Sequence, residues 1–406
     1  MTQGDVDQPT APLSRFTLAQ DAMAPVHAFD DIPVVPALSE TGMIVTGGPI
    51  WPDWQAAHRL RHNRNFRAVD SRPPDPADLR DFDEAAIWGG HVVPHFGHWL
   101  AEHGTRVLAA TRARPQDRML FTVAPNAGSD AAGEPQQFFW QCLKWLGVDA
   151  DRVHLVRRAL RVRRLHAVAM AEQWDGVMPS GGYLDLLDQN AARQGLDIAP
   201  DQIVYVARDG MIGRGEGGNA GEAYVVRCLK ALGVRVIRPE ALALEDQLRH
   251  YASARLLIFA EGSALHGWQL LGRIDQHVVV LNRRAQMRIG HAALMPRTTR
   301  LTYVEATRAI IAVQWPTGKF WMVRAISLYD LPALFEAFAH LGLSLGKVWD
   351  QPAFEKARDA DMANWIALRL SPGQPIARNA SIGHVRGGLA RHGLSHLIPL
   401  VPEPQT

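Results

Sequence analysis

Between residues 203 and 281, short apolar runs alternate with amphipathic stretches, and this rhythm restricts the fold more than any other feature of the chain. The runs cover 203–206, 234–237, 255–260 and 277–281; the stretches between them, at 220–232, 244–254 and 264–271, have helical spacing. Strands joined through helices pair in parallel, which predicts an open, doubly wound sheet with ligands at the carboxyl ends of its strands. A looser version of the same rhythm precedes it. There 85–88, 118–123 and 153–156 read as strands, and 99–112 and 136–146 as helices. The expected fold class is α/β. The expected organisation is an extended lead-in over 1–35, a first α/β domain over 36–178, a linker helix over 179–200, a second α/β domain over 201–328, and terminal helices over 329–406. Those helices are expected to pack back on the first domain, with an irregular tail after Ser371.

A chain of 406 residues with 47% hydrophobic and 21% charged side chains can fill two cores, and general disorder is excluded. A net charge of +2 argues against a nucleic-acid binder. Cys142 and Cys228 lie in apolar helical patterns and read as buried thiols, not as a disulfide. No signal-like leader or membrane-length apolar run is seen, so a cytoplasmic protein is expected, with peripheral association at the inner face of the membrane left open.

Three constellations carry chemistry. The apolar strand at 255–260 runs directly into Glu261-Gly262-Ser263-Ala264, with His266 one turn on. Glycine permits close backbone approach and Ser263 caps the next helix, leaving amides to receive an anion; an ordinary capped turn is the plainer reading. Arg208 and Arg214 follow the strand at 203–206 and could clamp a diphosphate, against a solvated basic loop. The third is His98 with Glu102, four residues apart on one helix face, an arrangement for a general base. An amphipathic helix with a core histidine is the alternative. Assembling His91, His95, His98 and Glu102 into a zinc site matches no established spacing, and no metal is expected. Gly213, Gly215 and Gly218 fit G-x-G-x-x-G, with Glu240 at the spacing of a dinucleotide acid, but six residues separate the strand from Gly213, which disfavours a dehydrogenase. Asp81/Asp83 and Asp359/Asp361 follow no apolar strand and read as solvated acids. Arg157, Arg158, Arg161, Arg163 and Arg164 read as an exposed strand edge.

Together these residues resemble glycosyltransferase family 61, the DUF563 proteins. The matching pieces are Phe96-Gly-His98-Trp-Leu-x-Glu102, then Tyr205-Val-x-Arg208 with Arg214 and Asn219, then Pro239-Glu240-x-Leu-x-Leu-Glu245-x-Gln247, and Gly262-Ser263-Ala264-Leu265. The resemblance implies a GT-B-like fold, two Rossmann-like domains facing a cleft, with the 201–328 domain seating a nucleotide sugar. It implies inverting, metal-independent transfer of a hexosyl or pentosyl unit to a glycan acceptor, in bacterial capsular or other surface polysaccharide synthesis. No cofactor is implied beyond the donor, and a homodimer is left open. Glu102 is the implied base with His98 its partner; Arg208, Arg214, Asn219, Glu240, Gln247, Gly262, Ser263, Ala264 and His266 are the implied donor side. Two departures stand out: a glycine-expanded run that sets Glu222 three residues after Asn219, and Glu261 where the family has histidine. A carboxylate beside a diphosphate must be protonated, paired or turned away. The competing readings are a non-catalytic nucleotide-sugar or glycan binder and an NAD-dependent oxidoreductase.

Overall fold

The computed structural model describes residues 25–39, 45–54, 56–64, 67–68, 79–123, 135–173, 177–196 and 200–404. Most of the expected lead-in, and 197–199 of the expected linker, fall outside them. The described chain forms two compact α/β units. One holds the described part of 1–197 with 266–274 and 290–297; the other holds that of 198–265, 275–289 and 298–406.

The first unit is built on a six-stranded sheet in the order Val45–Pro49, Val26–Ser39, Leu160–Val168, Arg80–Val92, Arg118–Val123, Val153–Val156. The last four run parallel, and Val26–Ser39 is antiparallel to both its neighbours. Residues 26–35 are thus paired strand where a loose lead-in was expected. Leu160–Val168 is an inner strand, which corrects its reading as an edge: Leu160, Val162 and Leu165 are buried, while Arg161 and Arg164 stay exposed near Asp81 and Asp30. Trp88, Leu120 and Leu165 centre one core, and Trp99, Phe121 and Phe139 interlock edge-to-face nearby.

Two stretches from later in the chain complete this unit, and buried charge fastens them. Arg297 makes a bidentate pair with Glu172 at 2.8 and 2.9 Å, with both side chains essentially inaccessible. It also donates to the carbonyls of Gln269 and Leu271. Arg273 pairs with Asp185 and Asp188 on the helix Gly181–Arg193, which Ser180 caps.

The second unit contains the doubly wound sheet, in the order Arg235–Ile237, Gln202–Val206, Ala254–Ala260, Ile274–Asn282, Thr298–Glu305, the first four parallel. Helices Glu222–Ala231 and Leu331–His340 cover it through Val225, Leu229, Leu334 and Phe338. Two expectations fail here. The terminal helices build this unit's own cores instead of crossing to the first domain. The tail after Ser371 is not irregular: Arg378–Arg391 is a helix that buries Ile382, Val385 and Leu389, whose i, i+3, i+7 spacing is helical, and Gly388 lets it close on Ile311. The segment Ser263–Leu270, read as an α-helix, is a 3-10 helix. It carries the chain from one unit to the other, and a 3-10 helix spans more length per residue. Among the described residues no helix is long and apolar enough to cross a membrane.

Truncating Leu389 to Ala should therefore destabilise the protein by about 2–5 kcal/mol in denaturant unfolding. A change within about 0.5 kcal/mol is what an irregular tail would give.

Candidate active site

In the first unit, the central strand Arg80–Val92 releases the site at its carboxyl end. Gly89 admits the Phe121 ring, since a Cβ there would lie 2.6 Å from it. The chain then enters a short helix at Phe96–His98, capped by His95, whose Nδ1 accepts the His98 amide at 3.2 Å. The expected α-helix over 99–112 is replaced at its start by a π-helical turn, Trp99–His103, in which Gly104 N–H reaches back to Trp99 O. Such turns are rare, and they concentrate at functional sites.

Glu102 sits in that turn, 5% exposed. Its Oε1 accepts from His98 Nδ1, and its Oε2 lies 3.2 Å from His62 Nε2. Burial alone would raise its pKa, but the hydrogen bonds from His62 and His98 outweigh that and hold it at about 2. An ionised carboxylate only accepts, so both histidines place their protons toward it. Around this pair stand more imidazoles. His103 stacks on His62 with ring centroids 4.3 Å apart, and His91 meets His103 edge-on. Burial, reinforced by His62 and Arg106, keeps His91 and His103 well below the usual imidazole pKa. His266 was expected beside Gly262. It is instead part of this unit, buried and bonded through Nδ1 to Gln269 at 2.6 Å; burial, with further lowering by His98 and His95, takes it to about 4.

His62, Glu102 and His103 offer three donor atoms within 4.8 Å of one another. That is the group a metal could use among the described residues, and it differs from the His91, His95, His98, Glu102 set weighed from the sequence.

In the second unit, the strand order reverses between Gln202–Val206 and Ala254–Ala260, and their carboxyl ends bring Arg208 to Gly262. The approach is so close that a Cβ on Gly262 would lie 2.2 Å from Arg208 Nη1. Arg208 N–H donates to Glu222 Oε1 at 2.8 Å and its Nη2 to Gly217 O at 3.0 Å. Arg283 and Arg284, which follow the next strand, complete a cationic cluster. Burial, then the repulsion of Arg208 and Arg284, lowers Arg283 to about 9.

Glu261 resolves the puzzle of its own charge. It is fully buried; Oε2 accepts the amides of Arg283 and Arg284 at 2.8 and 2.9 Å, and Oε1 accepts Arg284 Nε at 2.5 Å. The carboxylate is paired within the cluster. Glu222, also buried, accepts from Tyr205 OH at 3.0 Å, and burial raises it to about 7.

The remaining sequence candidates divide. Ser263 and Ala264 are half-buried at the turn, and the Ala264 carbonyl receives the Tyr251 hydroxyl. Arg214 is exposed in the turn Ile212–Arg214, and Glu240 is exposed beside Gly210. Gln247 is corrected: its Nε2 donates to Pro239 O and Leu242 O, so it shapes the loop after the second strand. Asn219 is buried toward Tyr329. Asp361 is not solvated, since it accepts Gly221 N–H at 2.8 Å ahead of the helix Glu222–Ala231. The glycine string opens no helix. Gly215 abuts Arg369, and Gly218 abuts the Ile212 side chain, so the dinucleotide reading loses its basis. Sequence reasoning missed Arg283 and Arg284, although Asn282-Arg283-Arg284 stands at a strand's carboxyl end as Arg208 does. It also missed His62, which nothing local distinguishes.

Residues 96–270 match the family model described as Glycosyltransferase 61, a span that holds His98, Glu102, Arg208, Gly262 and His266. The match supports a glycosyltransferase family 61 protein, as the motifs implied, with glycosyltransferase as its general class. No curated protein matches the chain.

Because Glu222 titrates near 7 in the fold and near the ordinary carboxylate value when unfolded, the folded chain binds more protons between those values. Its contribution to stability therefore falls as pH rises from about 4.5 toward 7, with a limiting slope of about 1.4 kcal/mol per pH unit. Glu222→Gln should flatten that slope in unfolding curves taken across the window; an unchanged slope would assign it to other groups.

Proposed function

We propose that this protein is an inverting transferase of the GT-B type, moving a hexosyl or pentosyl unit from a nucleotide sugar to a glycan acceptor in surface polysaccharide synthesis. The observation that carries this reading is Arg208 lying against Gly262 at the reversal of strand order, with Arg283 and Arg284 beside it. This is where a doubly wound sheet receives ligands; the Arg208 guanidinium suits a diphosphate, and Arg283, buried with its Nη1 on Ala325 O at 3.3 Å, and Arg284, paired with Glu261, add positive charge beside it.

The acceptor hydroxyl attacks the anomeric carbon while its proton passes to His98 Nε2. The bond from that carbon to the diphosphate oxygen breaks, the configuration inverts, and the charge on the leaving group is met by Arg208, Arg283 and Arg284. Glu102 was the expected base. With both oxygens engaged and a pKa near 2 it is a poor proton acceptor, so the base role moves to His98 and Glu102 becomes the group that orients and steadies its imidazolium. On this reading Arg208 and its neighbours serve the donor, and His98 serves the acceptor hydroxyl. Neutralisation of the diphosphate by arginines is what favours a metal-independent departure.

His98→Gln should lower turnover by about 10²–10⁴-fold while donor affinity, measured by calorimetry, stays within a factor of about three. Turnover equal to wild type would remove His98 from the mechanism. Gly262→Ala, which forces Arg208 aside, should weaken uridine or guanosine diphosphate binding by about tenfold or more. Stabilisation in thermal shift by a nucleoside diphosphate but not by NAD is expected; the reverse would favour the oxidoreductase. Donor binding without turnover toward any acceptor or water would favour the non-catalytic binder.

A further inference from the structure

We propose that His62, Glu102 and His103 form a binding site for a single late first-row divalent ion, zinc foremost, buried behind the His98–Glu102 pair. The three donor atoms lie within 4.8 Å of one another, and the residues are 2, 5 and 2% exposed. Two imidazoles and a carboxylate are the ligands such ions prefer, whereas magnesium and calcium require more oxygens.

Three further observations point the same way. The π-helical turn Trp99–His103 buries both Glu102 and His103, and turns of this kind concentrate at functional sites. His91 stands beside the set, edge-on to His103 with ring centroids 5.3 Å apart; its Nδ1 is tied to Thr122 Oγ1 at 2.5 Å, and its buried Nε2 has no partner among the described atoms. A water would fill a fourth position. Finally, His62 already meets Glu102 Oε2, so the ion would take the place of the hydrogen between them, displacing a proton as it binds. The Arg106 guanidinium acts on the same histidines, so the ligands must hold the ion against its repulsion. Glu102 Oε1 stays with His98, so the ion stiffens the carboxylate that orients the base.

The test reads metal and not turnover, so this proposal and the transferase reading can fail separately. The full chain, stripped by chelator and reloaded with zinc, should retain about one equivalent after desalting. Cobalt in its place should give the intense visible bands of a low-coordinate nitrogen and oxygen site. His62→Gln and His103→Gln should each weaken retention by at least about tenfold, as the loss of one ligand requires. Should either variant fail to fold by circular dichroism, the wild-type cobalt spectrum and His91→Gln decide. No stoichiometric zinc and no cobalt bands in the wild type, or folded variants that retain zinc as the wild type does, would overturn the site.

Discussion

Guanidinium groups repel one another, and the second unit holds three of them together at the carboxyl edge of its sheet. Glu261 is what makes that arrangement tolerable. Fully buried, it takes two backbone amides and the Arg284 side chain, fixing the turn after Ile274–Asn282 against the turn after Ala254–Ala260. Removing one partner of such a buried pair typically costs about 3–5 kcal/mol, because the other charge is stranded. Glu222 does the same for Arg208, receiving its backbone amide from the first turn of the next helix. The cationic seat therefore exists because two carboxylates lie beneath it.

The first unit solves a related problem with the opposite sign. Its single buried carboxylate at the site, Glu102, is kept ionised by imidazoles on two sides, one from its own helical turn and one from forty residues earlier. The stretch bearing His266 reaches this unit because Arg297 and Glu172 bind it there with a desolvated bidentate pair. Local sequence places one partner of each pair, and tertiary packing supplies the other.

That division explains what was legible beforehand. The strands at 203–206, 255–260 and 277–281 were readable because apolar runs bounded by turns have few alternatives. So were the turn at Gly262 and the pairing of His98 with Glu102, which are local. The π-helical turn was not, since its sequence period resembles that of an α-helix over so few residues. The helix Arg378–Arg391 was obscured by its glycines, of which Gly388 is needed for close packing against Ile311. Gln247 carried a motif position but its amide serves loop carbonyls, a distinction only coordinates reveal. Glu261 looked like a defect in a phosphate site until its partners, Arg283 and Arg284, were seen.

The central claim is that Glu261 supports the cationic seat and does not oppose it. Calorimetric titration of uridine diphosphate into wild type and Glu261→Gln, both shown to be folded, addresses it directly. Loss of the support should weaken binding by about tenfold or more, although the substitution removes a negative charge. Equal or tighter binding by the variant would mean that simple charge repulsion governs this turn, and that the seat is held by something else.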